Sequence, residues 1–116
     1  KADEPLEGFE ICPRASKELH FRVALMFAAK CNLTVSTGPW ILALYSQSPW
    51  LSFGQLHPEI PDWRPGHPNW WANQMGVPEG GQFPWSHEGQ RLVWRSDILE
   101  NIRRAWEHHR PMMKAA

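Results

Sequence analysis

The pattern of apolar and polar positions is clearest at the end of the chain. Ile98, Leu99, Ile102, Ala105 and Trp106 fall at i, i+1, i+4, i+7 and i+8, one apolar stripe with charges opposite, as an amphipathic helix requires. Ser96 stands at the N-cap position, and Asp97 and Glu100 in the first turn. Arg103, Arg104, His108, His109 and Arg110 load the last turns, which suits the helix dipole at both ends, and Pro111 stops the run. The spacing predicts a helix over 96–110.

Further back, Ser16 is placed to cap a helix from Lys17 to Lys30. That segment lacks Gly and Pro and is apolar nearly all round, with Leu19, Val23, Met26 and Phe27 on one face and Phe21, Leu25 and Ala28 on another. Cys31 to Gly54 then runs without a charged residue, the length of a membrane span. Ser, Thr, Asn and Gln dilute it, and Pro39 and Pro49 divide it. The reading is a short buried helix around Trp40–Tyr45, with Thr37 or Gly38 as N-cap and Pro39 at its first position.

Between Ser48 and Trp85 the prolines lie too close together for any helix beyond about two turns. Gln90–Trp94 reads as one short strand or as the approach to the last helix. The division is therefore an extended arm over 1–15, an apolar helical segment over 16–47, a Pro/Trp-rich loop over 48–95 and the final helix, all in a single domain. The fold class expected is mainly α, with two to three helices, a long irregular Pro/Trp-rich segment and little or no sheet.

Composition sharpens this in one place. Eight Trp and eleven Pro in 116 residues put proline at about twice its usual share. Disordered proline-rich linkers are poor in aromatics, so Trp50, Trp63, Trp70, Trp71 and Trp85 indicate an ordered loop anchored by indole rings. Twelve basic against twelve acidic residues give a net charge of zero, and Arg64 is the sole Lys or Arg between Lys30 and Arg91. Nucleic acid is therefore not expected as a partner. Two cysteines, Cys12 and Cys31, are too few for a disulfide scaffold and are read as free thiols. The polar start Lys1-Ala2-Asp3-Glu4-Pro5 has no signal-peptide apolar stretch, so a processed or trimmed start is the expectation.

Candidate chemistry is sparse. His57, Glu59, His67 and His87 are the residues a small metal-dependent hydrolase or nuclease would use, but their spacing forms neither a helical HExxH nor a paired CxxC. Trp63, Trp70, Trp71 and Trp85 could form a stacking platform for sugar rings, the pattern of a carbohydrate-binding module. The third reading fits the most features: a non-catalytic accessory subunit of a large assembly, respiratory-type and organellar, docked by Trp50, Trp63, Trp70, Trp71, Trp85, Ile98, Leu99, Ile102 and Trp106. Its partners would be other protein subunits and a membrane, with the mitochondrial inner membrane as its place. It would need no metal, cofactor or small-molecule substrate.

Overall fold

The computed structural model describes residues 8, 10–35, 41–53, 59–61, 63–64 and 67–113. Its elements follow in the order α1 (Pro13–Lys17), α2 (Leu19–Ala28), β1 (Asn32–Val35), α3 (Ile41–Leu44), β2 (Trp50–Phe53), α4 (Pro68–Gln74), β3 (Gln90–Leu92) and α5 (Leu99–His109), closed by a 3-10 turn over Arg110–Met112. The three strands form one parallel sheet in the order β1-β2-β3. The chain is thus mixed α/β, which corrects the expectation of little or no sheet.

The reason lies in the central strand. Trp50-Leu51-Ser52-Phe53 is buried at every position, because parallel strands joined by helical crossovers are covered on both faces. Such a strand shows no apolar/polar alternation and is silent to a period-two search. Trp50 and Leu92 face one layer, packing with Ala43 and Leu44 of α3, Trp71 of α4, and Val77 and Phe83 of the long loop. Leu51 and Phe53 face the other layer, against Ala105 of α5 and Met113, with Ile102 and Trp106 alongside. The sheet is the middle layer of three.

Three helix boundaries also differ from expectation. The run from Lys17 to Lys30 is broken at Glu18, whose φ of −119° and ψ of 107° are extended. Pro13 opens α1 at its first turn, and Ser16 donates to the Pro13 carbonyl at 2.7 Å instead of capping a helix. The break is bridged by Arg22 Nε donating to the Ala15 carbonyl at 2.8 Å. At the other end, α5 starts at Leu99, with Ile98 at the cap position and no side-chain cap bond. The Asn101 carboxamide donates at 3.1 Å to both the carbonyl and Oγ of Ser96, which occupies Ser96 outside the helix.

Thr37, Gly38 and Pro39 lie outside the described residues, and the helix expected there is the single turn of α3. With β1, α3 and β2 filling the uncharged stretch, no helix among the described residues is long and apolar enough to cross a membrane. The Pro/Trp-rich segment keeps its predicted limit, since α4 is two turns long. Gly76, at φ 69°, turns the chain after α4 so that the Val77 N–H returns to the Trp71 carbonyl at 3.0 Å and Val77 enters the core.

Candidate docking surface

The two edges of the sheet are finished differently. On β3, Gly89 and Val93 bond to β2, so Gln90 and Leu92 turn their backbone groups outward. Three of these four are met. The Gln90 N–H donates to the His87 carbonyl at 2.9 Å. The Gln82 carboxamide takes the Leu92 N–H on its Oε1 at 2.7 Å and donates from Nε2 to the Leu92 carbonyl at 2.9 Å. One side chain thereby stands in for a neighbouring strand. Gln90, itself buried, donates to the carbonyls of Ser46 and Ser48 at 2.6 and 2.8 Å and ties the α3–β2 turn to the same edge.

β1 is left open. The Asn32 N–H donates to the Pro49 carbonyl at 3.0 Å, so Asn32 and Thr34 face β2, while the backbone groups of Leu33 and Val35 point away from the sheet. Among the described residues no strand lies beside them. Their side chains belong to the α5 side of the sheet and stay exposed, Leu33 by 53%.

Between this edge and α5 runs an apolar cleft of about 400 Å³. Leu33 and Cys31 form its strand wall, and Leu99, Ile102 and Trp106 its helix wall. Leu99 is 70% exposed and Ile98, one residue earlier, is exposed as well. Lys30 and Arg103 line the same cleft and are its two charged residues among those described. Burial pushes the Cys31 thiol up to about 11, against a smaller opposing effect of its hydrogen bond with the Leu51 backbone, so at neutral pH it is an uncharged part of the wall. Cys12 and Cys31 are both free.

The five tryptophans expected as anchors of the loop divide into three groups. Trp50 and Trp71 are fully buried and serve this chain's own core. Trp85 is half exposed and stacks between Tyr45 and Phe83, at centroid distances of 5.3 and 4.6 Å. Trp63 and Trp70 line a separate small cleft with Asn69, Asn73 and Gln74. Of the expected anchors, then, Leu99, Ile102 and Trp106 line one cleft, and Ile98 is exposed at the cap of the same helix. Trp63, Trp70 and Trp85 lie elsewhere.

Two of the candidate histidines, His67 and His87, are engaged in backbone turns. His67 caps α4, its Nδ1 accepting from the Asn69 N–H at 3.0 Å. His87 Nδ1 accepts from the Gly89 N–H at 3.1 Å, and its Nε2 meets the Gln47 carbonyl at 3.0 Å. His57 lies outside the described residues, Glu59 is exposed, and no group of three His, Cys, Asp or Glu converges among the described residues.

Lys30, Cys31, Leu33 and Arg103 are surface residues that the sequence reading did not single out. The alternation Cys31-Asn32-Leu33-Thr34-Val35 was the available sign of a half-covered strand. Comparison with protein-family models, with curated proteins and with solved structures gives no match for this chain.

Proposed function

We propose that this chain is a non-catalytic subunit that docks on a partner protein through the β1 edge and the cleft beneath it. The observation that supports the reading is the joining of an open strand edge to an apolar cleft. Unpaired backbone donors and acceptors in a row call for another extended backbone, and pockets alongside them take alternate side chains of the added strand. The occupant is an extended segment of the partner with apolar side chains toward Leu33, Leu99 and Trp106. Lys30 and Arg103 form no ion pair among the described residues, so the segment carries an acidic residue next to its apolar one.

The test is native electrophoresis of a mild-detergent extract of the source, with the chain tagged as wild type, Leu33→Glu or Arg103→Glu. The wild type is expected to migrate in a larger assembly. Both variants should migrate at the chain's own mass, since each puts a like charge against the acidic segment. Both positions are exposed, so stability should stay within about 0.5 kcal/mol, which a melting curve checks. A wild-type chain found only at its own mass overturns the subunit reading. Variants that stay in the assembly overturn the β1 edge as its docking surface.

A further inference from the structure

We infer a second binding site, on the exposed side of α4, that takes one pyranose ring of a neutral sugar. It is independent of the β1 edge. Trp63 and Trp70 form the walls of a cleft of about 150 Å³, and Asn69, Asn73 and Gln74 line the rest of it. Asn69 and Asn73 are one helical turn apart, as are Trp70 and Gln74, so all four lie on neighbouring rows of the same helix.

Three features point to the ligand class. Two of the five lining residues are tryptophans, whose rings pack against the flat C–H face of a sugar. The polar groups are three carboxamides, each offering both donors and an acceptor, the complement of hydroxyls that also do both. None of the three side chains has a hydrogen-bond partner among the described residues. Among the described residues no charged side chain lines the cleft, so a phosphate or carboxylate would meet no counter-charge from them, and a purely apolar ligand would strand the amides without water.

The site is also held in place before binding. Trp70 meets the buried Trp71 edge to face at 5.3 Å and 87°, which fixes the inner wall. The outer wall, Trp63, is 73% exposed, and an indole left in water beside a polar cleft has most to gain by covering a ring. The volume admits one ring, so a longer glycan would be held by a single residue.

The test is proton–nitrogen NMR of the full chain, titrated in turn with glucose, galactose, mannose and N-acetylglucosamine at millimolar concentration, and with adenosine. At least one sugar should give saturable shifts confined to the Trp63 and Trp70 indole N–H groups and the carboxamides of Asn69, Asn73 and Gln74. Trp63→Ala should remove that binding, and Asn73→Ala should weaken it about tenfold, the loss of one hydrogen bond to the ligand. Leu33→Glu should bind the sugar like wild type, which separates this site from the docking surface. The proposal is overturned if none of the four sugars gives saturable shifts, if Trp63→Ala binds unchanged, or if adenosine binds in their place.

Discussion

The β3 edge and the β1 edge carry the same kind of backbone groups and meet opposite ends. On β3 the Gln82 carboxamide and the His87 carbonyl satisfy three of the four outward groups, and Trp50 packs there in an aromatic cluster with the buried Trp71 and Phe83 and the partly buried Trp94. On β1 the outward groups of Leu33 and Val35 have no strand beside them among the described residues, and the side chains next to them remain exposed. A small parallel sheet needs both edges managed. Here one is managed within the chain, and the asymmetry separates the part of the molecule that stabilises from the part that recognises.

The comparison can be broken from its closed side first. Trp71→Ala removes the indole at the centre of the aromatic cluster and should cost about 3–5 kcal/mol, read as a lower urea midpoint. A cost near that of an exposed residue would mean the cluster does not hold the sheet. Next in size, Gln82→Ala leaves the N–H and carbonyl of Leu92 without their partner and should cost about 1–3 kcal/mol. It also turns the β3 edge into a second open one, so sedimentation should show concentration-dependent self-association that the wild type lacks.

The smallest effect concerns His109 at the end of α5. Burial lowers its pKa, and the neighbouring His108 and Arg91 add to the effect. Its Nδ1 is buried without a hydrogen-bond partner, so a proton there has nothing to meet. Because the folded value lies below the ordinary 6.5, the unfolded chain binds the proton more readily. Stability is therefore full above about 6.5 and declines as the pH falls through and below it. Melting temperatures from pH 7.5 to 5 should fall in the wild type and fall less in His109→Gln. Equal slopes would remove His109 as the cause.

Much of the local structure was legible because it depends on side-chain type. The stripe of α5 from Leu99 to Trp106 and the two-turn limit on α4 set by prolines could both be read from residue identity. The sheet could not. Its strands are three and four residues long, the central one lacks alternation because it is covered twice, and parallel pairing joins residues with no signature at close range. The same reason hid the roles of Trp50 and Trp71. An indole in a proline-rich stretch looks alike whether it fills its own core or a partner's. The start of α5 was missed for another cause, since Asn101 competes for Ser96 through a bond that no cap preference records. In the docking surface, the helix wall was visible as an apolar stripe, whereas Leu33 and Cys31 acquire their place only through pairing with β2.

The register of the sheet also sets an order of assembly. Asn32 pairs with Trp50 and Trp50 with Gln90, so the first junction closes a loop of about 18 residues and the second one of about 40. The longer closure costs roughly 0.7 kcal/mol more in chain entropy. It must also wait for the proline-rich crossover to lay down Trp71 and Phe83. β1 and β2 are therefore expected to meet early and β3 late, and the last strand to arrive would be the one whose outer edge carries Gln82. Until then, the growing sheet is open along both sides, and the side that stays open afterwards has been available since the first contact formed.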